Sequence, residues 1–320
     1  MDITLEQAAQ RLLDADDILI LSHQSPDGDT LGSASALLRG LCSLGKRARF
    51  LCSDPVPKKF QYLFGGLGAQ DFAPKFIVSV DIADRQLFGP GLAEYREQVD
   101  LCLDHHGTNE RFAKENYVEP RAAAACEVLF LVLKEMRVKI SREIADCLFT
   151  GICTDTGCFR YGNVTPRTHR MAAELMELGA RAADINREMF DTKSRSRMEV
   201  ERRALDSLTF HLQDRCAFLY VPRRWLEECH AEESELEGLA SLPRQIEGVL
   251  AGVCVREKPD GSLKVSLRTN DPLSAASICE AFGGGGHRAA AGCAFHNVPL
   301  EEVKEKLLAE IQRQLEGCGL

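Results

Sequence analysis

Leu103-Asp104-His105-His106 ends an apolar run with a carboxylate and two imidazoles. Three other segments repeat the arrangement. His23-Gln24-Ser25-Pro26-Asp27-Gly28-Asp29 follows Ile18-Leu19-Ile20-Leu21, Asp81 follows Val78-Ser79-Val80, and Asp155 follows an apolar run through Ile152 and Cys153. Each apolar run reads as a buried strand. A continuous run rather than an alternating one marks a strand covered on both faces, as in a parallel sheet. Parallel strands deliver the residues at their carboxyl ends to one crevice. Four aspartates converging there would repel one another strongly unless cations neutralise them. Oxygen with some nitrogen is the ligand mixture that hard divalent ions such as Mn²⁺ or Mg²⁺ favour.

The rest of the first half alternates in the same manner. Residues 5–15, 31–44, 123–136, 141–150 and 166–178 have helical spacing. Residues 18–21, 47–52, 76–80 and 99–103 read as strands. This pattern predicts an α/β fold with an open, doubly wound, mostly parallel sheet over residues 1–190. Residues 191–207, charged and helical, read as a connector. Residues 208–320 read as a smaller α/β domain with strands over 216–221, 249–256 and 262–269. The last two flank Lys258-Pro259-Asp260-Gly261, a hairpin turn. A Gly283-Gly284-Gly285-Gly286-His287 run follows a helix over 274–282, and a final helix covers 300–315.

Composition excludes several classes. The 320 residues carry a net charge of −9, which argues against a broad basic surface for long nucleic acid. No stretch reaches the roughly 20 apolar residues of a membrane span, and residues 1–17 lack the pattern of a signal peptide. Thirteen scattered cysteines without a Cys-x-x-Cys pair suit a reducing compartment, hence a cytoplasmic protein, rather than a zinc site.

Each residue also has an ordinary reading. Asp27 and Asp29 can form a turn and a helix cap. Asp81 can be a cap, and Asp155 can cap a turn with Thr154 and Thr156. The glycine run can be a loop, and Arg268 a surface charge. His105 and His106 are adjacent, so their side chains diverge and cannot both join one core face.

In order along the chain, Ser22-His23, Pro26-Asp27-Gly28-Asp29, Gly32-Ser33, Asp81, Asp104-His105-His106 and Gly151-Ile152-Cys153-Thr154-Asp155-Thr156-Gly157 resemble the four motifs of the DHH phosphoesterases. Gly283 to His287, with Ala290-Ala291-Gly292 behind it, resembles the hallmark of the C-terminal domain associated with that family. Single motifs of this kind are weak, but five in register are strong. The resemblance implies that His23, Asp27 and Asp81 hold one Mn²⁺. It implies that Asp29, Asp81, His105 and Asp155 hold a second, with Asp81 bridging. Asp104 is expected to orient His105 or His106, and His106 to serve at the phosphate as acid or charge stabiliser. Arg268, His287 and the backbone N–H groups of Gly285 and Gly286 are expected to grip a substrate phosphate, with the catalytic cleft between the two domains. One departure is Ala122 to Ala125, where many relatives carry hydroxyl side chains.

The branch suggested is that of nanoRNases, pAp phosphatases and dinucleotide phosphodiesterases. The expected activity is Mn²⁺-dependent hydrolysis of short RNA, linear dinucleotides or pAp to mononucleotides. Alternatives are a cyclic-dinucleotide phosphodiesterase, an inorganic pyrophosphatase, a 5′ single-strand exonuclease and an inactive nucleotide sensor. No membrane or long nucleic acid partner is expected, and a homodimer is compatible with the chain.

Overall fold

The structure, a computed structural model, describes residues 1–68, 70–236 and 238–320, with Ser234 described by its backbone alone. It divides into two compact units, Met1–Thr192 and Lys193–Leu320.

The first unit runs α1 (Leu5–Asp14), β1 (Ile18–Leu21), α2 (Gly28–Ser43), β2 (Ala48–Leu51), β3 (Phe76–Val80), β4 (Leu101–Asp104), β5 (Glu115–Val118), α3 (Ala125–Glu135), α4 (Arg142–Asp155), α5 (Pro166–Glu177) and α6 (Ala182–Asn186). The five strands are parallel, in the order β2-β1-β3-β4-β5. The chain leaves β1 towards β2 on one side, while β3 lies on the other. The switch in direction therefore falls between β1 and β3, and a crevice opens at their carboxyl ends. One face of the sheet, with Ile18, Ile20, Val78, Val80, Leu101 and Leu103, packs into the main core with Leu37, Leu129 and Leu148 of the helices. The opposite face, with Leu19, Leu21, Ile77 and Cys102, is covered by Phe88 and Leu92 from two 3₁₀ turns.

Three expectations change on inspection. α2 begins at Gly28 rather than at residue 31, because Asp27 caps it. β5 went unread because Glu115, Asn116 and Tyr117 give it no apolar run; it is an edge strand, held in register by β4. The apolar run before Asp155 is helix, not strand: α4 continues unbroken from Arg142 to Asp155. A short apolar run looks alike in a buried strand and in a buried helix.

The second unit runs α7 (Arg195–Asp206), β6 (Thr209–His211), β7 (Cys216–Val221), α8 (Arg223–Cys229), β8 (Ala251–Glu257), β9 (Leu263–Thr269), α9 (Ala275–Glu280), β10 (Gly285–His287), β11 (Ala290–Phe295) and α10 (Leu300–Gly317). Its mixed sheet has the order β10-β11-β9-β8-β7-β6. Helices α9 and α10 cover one face through Ile278, Val303, Leu307 and Ile311. On the other face, Val200 and Ala204 of α7 pack with Leu219, Val221 and Cys254. The stretch read as a connector thus contributes its helix to the core of the second unit. The expected hairpin joins β8 to β9, closed by the Lys258 N–H donating to the Ser262 carbonyl at 2.8 Å.

Candidate dimetal site

The side chains collected at the ends of β1, β3 and β4 form three adjoining groups. His23, Asp27 and Asp81 make one; Asp29, His105 and Asp155 make another; Asp81 with Asp104, His105 and His106 makes the third. Asp81 lies at the junction. Its Oδ2 stands 3.6 Å from His23 Nε2, and its Oδ1 stands 3.6 Å from His105 Nε2 and 3.7 Å from His106 Nδ1. His105 Nε2 also faces Asp29 Oδ2 and Asp155 Oδ2, both at 3.8 Å. His23 Nε2 faces Asp27 Oδ1 at 3.7 Å.

Every member is held in place by its local structure. Asp27 is the N-cap of α2, and its Oδ1 accepts the N–H groups of Asp29 and Thr30 at 3.0 and 3.1 Å. The capping reading therefore holds for this residue, and the cap leaves its carboxylate facing His23. Asp29, 1% exposed, accepts the N–H groups of Ala125 and Cys126 at 2.6 and 2.9 Å. Those are free donors at the start of α3, where the helix dipole also favours an anion. The alanines of residues 122–125 thus serve the site through the backbone. Asp81 follows β3 with φ +58°, a left-handed turn that aims its carboxylate into the crevice, and its N–H donates to the Leu103 carbonyl. Each imidazole is oriented from behind: His23 Nδ1 by the Gln24 carbonyl at 2.8 Å, and His105 Nδ1 by the Ala122 carbonyl at 3.2 Å. A carbonyl only accepts, so these Nδ1 atoms carry protons and Nε2 is turned to the carboxylates.

Asp104 is fully buried and saturated. Its Oδ1 accepts the His105 N–H and His106 Nδ1–H, both at 2.8 Å, and its Oδ2 accepts Asn109 Nδ2–H at 2.6 Å. It orients the ring of His106, while His105 has the Ala122 carbonyl instead. Asn109 was not read from the sequence. Its signal was faint: an amide in a polar turn three residues past His106, where Asn is common for backbone reasons alone.

Asp155 reaches the site from the end of a helix, and this depends on how α2 and α4 cross. A side-chain carbon on Gly151 would lie 2.2 Å from Cys126 Sγ and 2.7 Å from Asp29 Oδ1. Only glycine lets the helices approach so closely. Asn163, also unread, donates from Nδ2 to the Ala123 and Asp155 carbonyls at 2.9 and 3.2 Å, tying the end of α4 to the start of α3.

The electrostatics follow from packing these charges together. Burial, followed by the charges of Asp81, Asp155 and Asp27, holds the Asp29 carboxyl well above the usual carboxylate range. Burial likewise raises Asp81. Asp155 is pushed up to about 7, by burial first, with His105 opposing and Asp81 and Asp27 adding. Burial alone would lower His23, yet Asp27 and Asp81 raise it to about 11. His106 is raised to about 9, because Asp104 and the neighbouring carboxylates outweigh its burial.

This donor set fits divalent cations. Asp81 Oδ1 is buried without a hydrogen-bond donor, and a buried unpaired carboxylate oxygen is costly. Burial first, and then neighbouring carboxylates, drive the carboxyl groups of Asp29, Asp81 and Asp155 towards their protonated forms, which a cation relieves. Asp81, with one oxygen facing each group, has the geometry of a bridge.

In the second unit, the register places Arg268 of β9 opposite Ala290 of β11, and Ala290 opposite His287 of β10. Residues paired in register share a face, so Arg268 and His287 lie on one face of the sheet, two strands or about 10 Å apart. Ser266, Gly292 and Gly285 form the next row on that face. Gly286, φ +144°, points the other way, towards Ala291. Gly285, Gly286 and His287 are exposed.

Comparison with known proteins agrees with the motifs. The DHH family N-terminal domain matches residues 17–152, and the DHHA1 domain matches residues 216–317. The chain is 31% identical over 313 residues to the bifunctional oligoribonuclease and PAP phosphatase NrnA of Thermus thermophilus, covering 94% of this chain and 91% of that protein. It is 23% identical to the NrnA of Bacillus subtilis, over 93% and 94% of the two chains. Its fold superposes on an exopolyphosphatase-related protein from Bacteroides fragilis with a TM-score of 0.88 at 24% identity, covering 98% and 97%. Exonuclease RecJ bound to manganese superposes at 0.58 and 16% identity, over 97% and 94%. No helix among the described residues is long and apolar enough to cross a membrane. With its two matched domains, a relative aligned over nearly its full length, and a clustered acidic and histidine site, the chain is a phosphate-ester hydrolase and belongs to the metal-dependent DHH phosphoesterase family.

Proposed function

We propose that the chain is a Mn²⁺-dependent phosphoesterase that hydrolyses short phosphate-bearing nucleotides, namely oligoribonucleotides of a few residues, linear dinucleotides and pAp, to mononucleotides. The observation that carries this reading is the division of Asp81 between two ligand groups. The names of the Thermus and Bacillus relatives support the substrate class. His23, Asp27 and Asp81 would hold one ion, and Asp29, Asp81, His105 and Asp155 the other. Two such ions would supply an activated water and screen the charge of the phosphate. The remaining work belongs to the chain. His106, whose Nδ1–H is held by Asp104 and whose pKa, against its burial, the surrounding carboxylates raise to about 9, would carry a second proton on Nε2 and donate it towards the developing negative charge. Asn109 keeps Asp104 in place. Arg268, His287 and the N–H groups at Gly285 and Gly286 hold a substrate phosphate, the glycines leaving room for close approach.

The test is mononucleotide release by purified, Mn²⁺-loaded protein. The substrates are pAp, a linear dinucleotide, a cyclic dinucleotide, a long RNA and pyrophosphate. Turnover of the dinucleotide and pAp with little on the long RNA is expected. Turnover of pyrophosphate alone would overturn the assigned substrate class.

A further inference from the structure

Between Asp155 and Asn163 the chain takes an unusual path. Gly157, Cys158 and Phe159 are consecutively left-handed, with φ of +55°, +59° and +61°. Side chains avoid this region, and a bulky residue there is an outlier. The loop is nonetheless tightly tied. The N–H groups of Arg160 and Tyr161 donate to the Thr156 carbonyl at 2.9 and 3.1 Å, and Arg160 Nε donates to the Gly157 carbonyl at 2.6 Å. Phe159 points inward, its ring centroid 6.0 Å from that of Phe149 and 5.4 Å from that of His169.

The path folds Tyr161 back over Gly157. A side-chain carbon on Gly157 would lie 2.3 Å from Tyr161 Cζ, 2.5 Å from Cε1 and 2.6 Å from Cε2. Near-equal distances to the two Cε atoms, with Cζ as close, put that point over the face of the ring rather than at its edge. Tyr161 therefore lies flat against the glycine, and the residue remains 50% exposed. Gly157 is two Cα steps from Asp155, at most about 7.6 Å. A single exposed aromatic is ordinary on any surface. This one has a glycine seat, a left-handed loop that delivers it there, and a place beside a candidate metal ligand.

We propose that Tyr161 is a stacking platform for a nucleobase of the substrate. The proposal rests on the nucleotide reading above and deepens it. The carboxylates and imidazoles of the site recognise phosphate, not base. A half-exposed aromatic ring on the loop that leaves Asp155 can bind any base, because every base has a π-face. Such contact favours nucleotides over inorganic phosphates without fixing their sequence.

The test uses the full metal-loaded chain with Tyr161→Ala and Tyr161→Phe. The substrates are a linear dinucleotide and the same compound with one base replaced by hydrogen, tried at each position. Tyr161→Ala is expected to raise KM for the dinucleotide about 5- to 100-fold with little change in kcat. Tyr161→Phe should stay within about twofold, and at least one abasic compound should lose its sensitivity to Tyr161→Ala. In parallel, binding of a 2-aminopurine dinucleotide is read by fluorescence, with quenching expected for the wild type and Tyr161→Phe and lost in Tyr161→Ala. An equal loss on all substrates, or unchanged KM and quenching in Tyr161→Ala, would overturn the platform. If the wild type hydrolyses no nucleotide yet shows Tyr161-dependent quenching, the functional reading fails and the platform stands. If neither turnover nor quenching is seen, both fall.

Discussion

The two units present their candidate residues in opposite ways. In the first, Asp29, Asp81 and Asp104 are buried, and each candidate ligand is tied to a strand end, a helix end or a backbone carbonyl. In the second, Gly285 to His287 form an exposed strand at the edge of a sheet, next to small residues. The difference matches the demands of the proposed ligands. Two cations need several charged groups held in a geometry fixed to fractions of an ångström. A phosphate on a flexible substrate needs a few donors and room to approach. The first unit is therefore expected to fail abruptly when altered and the second to fail gradually.

Asp81→Ala breaks the comparison most severely. Removal of the shared carboxylate should lower kcat by more than about 10³-fold and cut metal content from two ions towards one or none, measured by turnover and elemental analysis. Retained activity with two bound ions would refute its bridging role. Gly151→Ala should cost about 1–3 kcal/mol by forcing Cys126 and Asp29 aside. It should also depress activity, as checked by denaturant unfolding alongside turnover. Asn109→Ala removes only the support behind Asp104, so a loss of about 10- to 100-fold in activity is expected with the fold intact. His287→Ala should raise KM for a dinucleotide roughly tenfold while leaving a small generic phosphodiester nearly unaffected. Equal losses on both would end the view of the second unit as a phosphate holder.

Chelation sharpens the same contrast. In metal-free protein, Asp155 keeps its proton to about pH 7, whereas an unfolded Asp releases it near 4. The native state then binds more protons than the unfolded one, so the stability of the metal-free protein falls as pH rises from 4 through 7. His23, raised to about 11, stabilises below pH 6.5 and loses that contribution only as pH rises towards 11. Metal binding needs these groups deprotonated and tightens over the same interval. The gap in Tm between loaded and chelated protein should therefore widen from pH 5 to pH 8. Hydrogen exchange should place the change in the first unit.

Much of this was legible in the sequence, and for a physical reason. Ile18 to Leu21 and Phe76 to Val80 are buried on both faces, so their composition is forced to be apolar and their ends are marked by the first charges. His23, Asp81 and Asp104-His105-His106 could be placed because a strand end fixes where its next residue points. Asp155 was harder. Its position depends on the crossing of two helices through Gly151, a contact between residues far apart in the chain. β5 escaped notice because its register comes from β4 rather than from its own side chains. Asn109 and Asn163 act on backbone and carboxylate groups that become neighbours only after folding, so nothing in their surroundings singled them out.

The anchoring of Asp29 on the first turn of α3 has a consequence for biosynthesis. The six candidate ligands span positions 23 to 155, and one of them is positioned by backbone from residues 125 and 126. A ribosome must therefore release most of the first unit before all six can come together. An unfinished chain that stops short of residue 126 lacks the two N–H donors that anchor Asp29, and one that stops short of residue 155 lacks the last candidate ligand.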